Sequence, residues 1–306
     1  MDGENRSTPN GLARSDEPQG RIEQMIDRMY VWTSYEKLLL PRPYLKLLDQ
    51  IQQFLLPRTY VEIGVSKGTS LTLALPGTRC IGVDPDPDIQ FPLGPTSEIY
   101  RLTSDDFFEQ VDVGAALGGQ PLDLAFIDGL HLFEYALRDF MNLERYATQD
   151  TTILIHDCLP VDEKCASRDR KVGRWSGDVW KVIACLRMWR PDLDVSVVDI
   201  GPCGLAIVRG LDAASTRLRE NYDEIYAHFL ELPYSVFEEA HKNELLDLVP
   251  GEWRSVRPLL PSRPFRRANL MGLKTKRLLR AMPPIARQWT KVRVRRASRR
   301  LGVTGA

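Results

Sequence analysis

Two apolar segments of the sequence end in aspartate. "LDLAFID" ends at Asp128 and "TTILIHD" at Asp157, and His131 follows Asp128 by three residues. If the two segments are neighbouring parallel strands, their ends lie about 4.8 Å apart and both carboxylates face one pocket. Carboxylates that close repel each other unless a cation or a proton lies between them, and oxygen ligands suit Mg²⁺. The pattern predicts a magnesium site at Asp128 and Asp157, with Asp128 and His131 as catalytic residues and His131 as the general base.

The four histidines of the chain are predicted to differ in role. The alternative for His131 is a solvated residue at the start of a helix. His156 belongs to the alternation of a buried strand and is expected to point away from the pocket. His228 and His241 fall in C-terminal helical segments, where we expect structural roles.

A second candidate for chemistry is the turn in "YVEIGVSKGTSLTLAL", Tyr60 to Leu75. A buried strand ends at Gly64, and Gly68 follows before the next apolar run, so backbone N–H groups are exposed to a ligand that approaches closely. A phosphate-binding P-loop requires Gly-Lys-Ser/Thr, whereas Lys67 here precedes the glycine. A dinucleotide fingerprint requires a glycine where Ser66 stands.

Asp84 supports a nucleoside ligand at the same turn. It ends the next strand, "CIGVD", 20 residues after Gly64. A carboxylate at this position can accept hydrogen bonds from both hydroxyls of a ribose. The sequence therefore predicts a nucleoside site without a phosphate cradle.

Alternating strands and helices must position these residues. The predicted strands are "TYVEIGV", "RCIGVD", "EIYRLT", "LDLAFID", "TTILIHD", "DVSVVDI" and "GLAIVRG". Helices are predicted between most of them, in "TSLTLAL", "DDFFEQVDVGAAL", "LFEYALRDFMNLERYA" and "SGDVWKVIACLRMWRP", the last with Ser176 as its N-cap. Near-continuous apolar strands alternating with helices indicate an α/β fold with both faces of a parallel sheet covered.

The last two strands form a hairpin, since only Gly-Pro-Cys-Gly separates them. One of them therefore runs antiparallel to its neighbours. The predicted fold is a Rossmann-like, doubly wound, mostly parallel seven-stranded sheet with one antiparallel strand and helical N- and C-terminal additions. The predicted segments are a disordered N-terminus, 1–20, a helical cap, 21–56, the sheet domain, 57–210, a helical extension, 211–260, and a basic tail, 261–306.

The ordered set of motifs resembles the class I S-adenosylmethionine-dependent methyltransferases. It comprises Glu62-x-Gly64-x-x-x-Gly68, Asp84, the acidic turn "SDDF" and the closing hairpin. In detail, "FIDGLHLFEYALRDF", "ILIHD" and "GDVWKVI" are similar to the family that includes sugar O-methyltransferases of antibiotic pathways. The resemblance covers about residues 56–210.

The resemblance implies S-adenosylmethionine as cofactor and assigns residues to its parts. Gly64, Ser66 and Gly68 would surround the amino-acid part, Glu62 would support the turn, Asp84 would hold the ribose, and Asp105 would lie near the adenine. For Asp105 the alternative is a helix cap, a role that Ser104 and Asp106 can also fill. Leu130 departs from the pattern, since relatives often have a polar or acidic residue there.

The connection "DCLPVDEKCASRDRKVGRW", Asp157 to Trp175, is long for a link between a strand and a helix, which predicts a substrate loop or lid. Trp175, Asp178 and Trp180 are candidates to line the pocket, and Trp180 has the alternative of a core position. The helices in 21–56 are a second candidate cover.

The charge of the chain is divided unevenly. Lys and Arg total 41, as do Asp and Glu, yet residues 263–300 contain 14 Lys and Arg and no acid. This segment mixes apolar residues with its charges and is predicted to associate with an anionic membrane surface, with nucleic acid as a less favoured partner and a solvated extension as the alternative.

No apolar run has the length of a membrane span, the N-terminus lacks the pattern of a signal peptide, and the five cysteines show no Cys-x-x-Cys pair. These features predict a cytoplasmic protein with reduced thiols. The predicted function is O-methylation of a hydroxyl on a sugar or another small hydroxylated substrate. Two alternatives remain: a nicotinamide- or nucleotide-sugar-dependent enzyme on the same fold, and a non-catalytic nucleoside-binding protein that acts through its basic tail.

Overall fold

A computed structural model describes residues 42–170, 173–239, 246–267 and 270–281. The predictions for the N-terminal segment 1–20, for the first helix of the cap, for His241 and for the tail after residue 281 lie outside the described residues. The second helix of the predicted cap is present as α1, Pro43–Leu55.

The centre of the described structure is an eight-stranded sheet in the order β3-β2-β1-β4-β5-β7-β6-β8. The strands are β1 Thr59–Ile63, β2 Arg79–Val83, β3 Ser97–Tyr100, β4 Leu122–Ile127, β5 Ala147–His156, β6 Asp194–Asp199, β7 Leu205–Arg209 and β8 Leu248–Pro250. Strand β7 is antiparallel to β5 and β6, and the other pairs are parallel. The predicted α/β class, the mostly parallel sheet and the antiparallel hairpin are confirmed, and β8 adds an eighth strand.

Helices cover both faces of this sheet. After α1 they are α2 Ser104–Gln110, α3 Val113–Ala116, α4 Phe133–Glu144, α5 Trp180–Trp189, α6 Arg217–Glu220, α7 Tyr222–Leu230, α8 Tyr234–Glu239, α9 Trp253–Val256 and α10 Leu270–Ala281. Every residue of β1 and of β4 is buried, because side chains pack on each face in a separate core cluster. This two-sided burial explains why the strands read as apolar runs rather than as alternating patterns.

The strand order reverses between β1 and β4, and the register aligns the strand ends there. Ile63 is paired with Val83 and with Ile127, and Ile127 is paired with Ile155. The residues that follow these positions therefore meet at one edge of the sheet, where open α/β sheets bind their ligands.

Three local predictions were wrong. The segment after Gly68 forms only a 3₁₀ turn, Leu71–Leu73, instead of a helix. Helix α2 is capped by Thr103, whose hydroxyl accepts from Asp106 N, and not by Asp105 or its neighbours. Helix α5 begins after Val179, so Ser176 lies outside it, and the Ser176 hydroxyl donates to Cys165 O instead.

The first part of the basic tail packs on the domain. Phe265 N donates to Leu55 O, and Arg266 donates to the carbonyl oxygens of Leu56 and Pro76. Arg277, in α10, forms an ion pair with Asp49 of α1 at 2.6 Å. These contacts place Phe265, Arg266 and Arg277 against the sheet domain, although the sequence pattern predicted a separate tail from residue 261.

All five cysteines are buried free thiols. Within the described ranges, no helix combines the length and the hydrophobicity that crossing a bilayer requires.

Candidate active site

A cleft of about 770 Å³ opens at the carboxyl ends of β1, β2, β4 and β5. The segments before α1 and α2 and the loop between β5 and α5 contribute its remaining walls. Its polar and aromatic lining includes Arg42, Tyr44, Ser66, Asp84, Thr103, Ser104, Asp128, His131, Tyr135, His156, Asp157, Arg170, Arg174 and Trp175.

Gly64 forms the floor of the cleft because it lies directly against β4. Gly64 N donates to Val83 O, and Asp128 N donates to Ile63 O, each at 2.8 Å. Gly64 has a φ of +87°, and a Cβ atom on it would overlap the carbonyl oxygen of Asp128. Only glycine permits this approach, which brings the turn and Asp128 together.

Asp84 lines the cleft and also holds the turn. Its Oδ2 accepts from Val65 N at 2.9 Å and from Ser66 N at 2.7 Å, while Oδ1 accepts from Asp86 N. An ionised carboxylate has about four acceptor positions, so capacity for a ligand hydroxyl remains. Asp84 thus contacts the backbone of the glycine turn, and the two were predicted to bind one nucleoside.

Glu62 lies behind the turn and not in the cleft. Its side chain is fully buried and accepts from the hydroxyls of Tyr60 and Ser70, both at 2.6 Å. Burial raises the pKa of Glu62 to about 8, although both hydroxyls oppose that rise. Gly68 is also outside the cleft lining. A Cβ atom on Gly68 would lie 3.3 Å from Cδ1 of Ile89.

Asp105 does not line the cleft. Arg138 of α4 donates Nε to Asp105 Oδ1 at 2.9 Å and Nη2 to Oδ2 at 2.7 Å. This two-pronged pair occupies the carboxylate, while the adjacent Thr103 and Ser104 line the cleft. The structure thus gives Asp105 a partner within the chain and excludes the helix-cap role, while its position near the adenine stays a prediction.

Asp128, His131, His156 and Asp157 form one cluster. His156 Nδ1 lies 3.1 Å from Asp128 Oδ1 and 3.3 Å from Asp157 Oδ2. His131 Nδ1 lies 3.1 Å from Asp157 Oδ2, and its Nε2 lies 3.5 Å from Asp128 Oδ1. The strand ends therefore bring together the three residues that the sequence analysis proposed for catalysis and metal binding.

The charges in this cluster lower the pKa of Asp128 and raise the pKa values of His131 and His156. Burial alone would raise the pKa of Asp128, but the charge of His156 and hydrogen bonds from both imidazoles hold it well below its ordinary value. Burial alone would lower the pKa of His156, but Asp128 and Asp157 raise it to about 10. The pKa of His131 is also raised, since its hydrogen bond to Asp128 and the charge of Asp157 outweigh burial.

His156 corrects the expectation that it points away from the cleft. It is the last residue of β5, and its ring packs 4.1 Å from the Tyr44 ring. Tyr44 lies in the first turn of α1 and was missed as a site residue. No local signal identifies it, although the prediction of a helical cover in 21–56 included its helix.

Trp175, Asp178 and Trp180 were proposed to line the pocket. Of these three, Trp175 lines the cleft. Its indole stacks on His131 with ring centroids 5.1 Å apart, and its carbonyl oxygen lies 3.1 Å from His131 Nδ1. Asp178 is buried and pairs with Arg168 and Lys181. Trp180 packs in the core against Phe237, as its alternative predicted.

Three side chains of the cluster can offer ligand atoms to a divalent cation. One atom each from Asp128, His131 and Asp157 lie within 4.8 Å of one another. The two carboxylates provide the oxygen ligands that Mg²⁺ prefers, and the imidazole widens the range of metals toward manganese, iron and zinc. Leu130, which lines the cleft and is 50% exposed, adds no ligand.

The sequence was compared with families and proteins of known kind. Residues 61–158, about a third of the chain, match the family model described as "Methyltransferase domain". No curated protein gives a significant match. The matched segment runs from β1 to the start of the long loop and contains Gly64, Asp84 and the Asp128 cluster.

Solved methyltransferases are similar to the chain at low identity. The O-methyltransferase TomG from Streptomyces achromogenes, in complex with SAM, is 14% identical, with 55% of this chain and 79% of that chain covered and a TM-score of 0.41. The O-methyltransferase from Bacillus cereus, in complex with SAH, is 16% identical over 66% and 93%, with a TM-score of 0.37. The SAH-bound methyltransferase PaMTH1 from Podospora anserina is 13% identical over 67% and 100%, with a TM-score of 0.45.

Because these TM-scores are all below 0.5, no conclusion on chemistry rests on them. The family match is independent of them, and it covers the strands whose ends build the cleft. Residues 61–158, which supply Gly64, Asp84 and the Asp128 cluster, are therefore similar to the family of methyltransferase domains.

Proposed function

We propose that the protein transfers the methyl group of S-adenosylmethionine to a hydroxyl group of a sugar or another small hydroxylated metabolite. The observation that carries this proposal is the shared cleft: the Gly64–Ser66 turn with Asp84 lies beside the cluster of Asp128, His131, His156 and Asp157. A nucleoside site and a group that can remove a proton thus face the same space.

The residues around the glycine turn fit the cofactor. Gly64 and Ser66 leave the backbone accessible, and Asp84 retains acceptor capacity for a ribose hydroxyl. S-adenosylmethionine, when bound, supplies an electrophilic methyl group on a sulfonium. The protein then has to hold the acceptor hydroxyl in line and to receive its proton.

His131 is our candidate for the proton acceptor. The Trp175 carbonyl oxygen and Asp157 Oδ2, each 3.1 Å from Nδ1, favour the proton on Nδ1 in the neutral ring. Deprotonation of His131 then ends the hydrogen bond from Nε2 to Asp128, and Nε2 can accept the substrate's proton. Without a metal ion on the carboxylates, the resulting imidazolium would lie between Asp128 and Asp157, whose negative charges stabilise it. Trp175 stacking and the carbonyl contact keep the ring in one orientation.

Magnesium is part of this proposal. Asp128 and Asp157 would hold the ion, which, when bound, would supply positive charge that lowers the pKa of a coordinated hydroxyl. His156 Nδ1 competes for the same oxygens and can itself supply a positive charge between them. Chelation followed by readdition of Mg²⁺ separates these two sources of charge.

The nicotinamide- or nucleotide-sugar-dependent alternative is weaker. It requires a helix N-terminus that binds the pyrophosphate after the glycine turn. Here the turn leads into the three-residue 3₁₀ turn Leu71–Leu73, which is too short to provide that dipole. The second alternative is a non-catalytic nucleoside-binding protein that acts through its basic tail. It does not account for the buried charged cluster in the cleft.

The proposal is tested by supplying S-adenosylmethionine with an isotopically labelled methyl group to the purified protein, together with a panel of sugars, phenols and alcohols. We expect mass spectrometry to detect the label on an oxygen atom of an acceptor. Label on nitrogen or carbon would refute O-methylation. Cofactor binding without transfer to any member of a broad panel would instead favour the non-catalytic alternative.

A further inference from the structure

Three arginines line the cleft without an acidic partner. Arg42 precedes α1, and Arg170 and Arg174 belong to the loop between β5 and α5. All three are exposed, and none forms an ion pair with another described residue. The Arg42 guanidinium donates a hydrogen bond to the Tyr44 hydroxyl at 3.5 Å, and the charges of Asp128 and Asp157 act on it from beyond ion-pair distance.

Charged side chains of the loop between β5 and α5 differ in whether they face the cleft. Asp157 lines the cleft, whereas the later acids of the loop, Asp162, Glu163, Asp169 and Asp178, do not, and Asp162 accepts from Cys165 N at 2.7 Å. Arg168 points elsewhere and pairs with Glu134 and Asp178. Among the described residues of the loop, the charged side chains that follow Asp157 and line the cleft are both arginines.

Trp175 connects these arginines to the reaction centre. Its indole Nε1 donates to Ser167 O at 2.6 Å, which fixes the ring against His131. The Arg170 guanidinium lies 6.0 Å from the centroid of the same indole. A cation is thus held one ring away from the imidazole that we propose as the base.

Asp84, Asp128 and Asp157 line the same cleft, but none of them forms an ion pair with these guanidinium groups, which stay available to an anionic ligand. The sulfonium of S-adenosylmethionine is positive, and like charges in one cleft repel each other. An acceptor with an anionic group would remove this repulsion. Guanidinium groups also match the planar geometry of carboxylate and phosphate oxygens through paired hydrogen bonds.

We propose that the methyl acceptor carries an oxyanion, a carboxylate or a phosphate, and that Arg42, Arg170 and Arg174 bind it. This inference rests on the proposed function and narrows it from hydroxylated metabolites in general to anionic ones. The arginines act on binding and orientation of the acceptor, whereas His131 acts on its hydroxyl.

Calorimetry on the protein saturated with S-adenosylhomocysteine tests this proposal with three probes that differ in one group: glucose, glucuronate and glucose 6-phosphate. We expect at least one anionic probe to bind about tenfold or more tightly than glucose, in line with charge-assisted hydrogen bonds. Whether it is glucuronate or glucose 6-phosphate distinguishes a carboxylate from a phosphate. The double variant Arg170→Gln/Arg174→Gln should lose that preference.

The matched control is Arg219→Gln, since Arg219 is exposed on α6 and outside the cleft. Its affinity for the anionic probes should equal that of the unmodified protein. The inference is overturned if neither anion binds more tightly than glucose, or if Arg219→Gln loses as much affinity as the double variant.

Titrating S-adenosylhomocysteine into each protein separates this inference from the proposed function. Cofactor binding without a preference for anionic probes refutes only the anionic acceptor. Arginine-dependent anion binding without any cofactor binding refutes the proposed methyl transfer and leaves an anion-binding cleft.

Discussion

His156 Nδ1 lies 3.1 Å from Asp128 Oδ1, so the last residue of β5 contacts the first residue after β4 inside the cleft. The same nitrogen lies 3.3 Å from Asp157 Oδ2. A single imidazole therefore stands between two carboxylates that would otherwise repel each other. His131, which precedes α4, approaches the same two carboxylates, so that two imidazoles contact the pair.

Replacing His131 tests whether this residue is the general base. We expect His131→Gln to lower the turnover of methyl transfer about 10²–10⁴-fold, the usual contribution of a general base. The reaction should accelerate as the pH rises through the raised pKa of His131, because only the neutral imidazole accepts a proton. Initial rates across a pH series measure both effects. His228→Gln, at an exposed position of α7, is the matched control, and an equal loss in that variant would contradict the assignment.

Metal removal distinguishes the two sources of positive charge at Asp128 and Asp157. We expect exhaustive chelation to abolish most of the turnover and Mg²⁺ to restore it, since two close carboxylates suit a hard cation. Rates before and after chelation, with cofactor binding measured in parallel, give the answer. Full turnover in the chelated protein would assign that charge to His156 alone.

Glu62 should make stability dependent on pH. Burial raises its pKa from an ordinary 4.5 to about 8 in the folded protein, so the folded state keeps a proton that the unfolded chain has lost between these values. Unfolding then releases a proton, and the free energy of unfolding falls as pH rises through this window, by up to about 1.4 kcal/mol per pH unit.

Urea unfolding at several pH values measures this slope. Glu62→Gln removes the titrating group and keeps an amide that can bond to Tyr60 and Ser70, so its slope should be shallower than that of the unmodified protein. Glu109→Gln, at an exposed position of α2, should leave the slope unchanged. Identical slopes in all three proteins would show that Glu62 is ionised in the folded state.

Much of the fold follows from local sequence patterns, whereas parts of the site depend on long-range partners. The core strands were predictable because each is an apolar run covered on both faces. Strand β8 was not, since Leu248–Pro250 is three residues long and is stabilised by pairing with β6. The pair of Asp105 with Arg138 was not predictable either, because the two residues are 33 positions apart and no local pattern connects them.

The positions of His156 and Tyr44 also depend on long-range partners that local sequence patterns do not show. Strand alternation directed His156 away from the cleft, but this residue ends β5, where its buried ring packs against Tyr44 and still lines the cleft. Tyr44 reaches the cleft through the packing of α1 against the sheet, which no local spacing encodes. Gly64 and Asp128, by contrast, follow directly from strand ends that meet at one edge.

The basic tail is expected to bind anionic surfaces and to be dispensable for methyl transfer. Truncation after Ala281 removes seven Lys and Arg but keeps the contacts of Arg266 and Arg277 with the domain. We expect the truncated protein to lose binding to vesicles that contain anionic lipid, and the binding of the full chain to weaken as salt screens the charges. Sedimentation with vesicles measures this. Loss of methyl transfer in a truncated protein that still binds cofactor would place the tail in the active site.

The central claim is that the cleft beside Gly64 and Asp84 binds S-adenosylmethionine. Isothermal titration calorimetry on the purified full chain tests it directly, with S-adenosylmethionine, S-adenosylhomocysteine and NAD as ligands. We predict saturable binding of the first two and none of NAD, because the turn with Asp84 suits a nucleoside and no helix follows it that could hold a pyrophosphate. Clear binding of NAD with no heat from either sulfur compound would contradict the account.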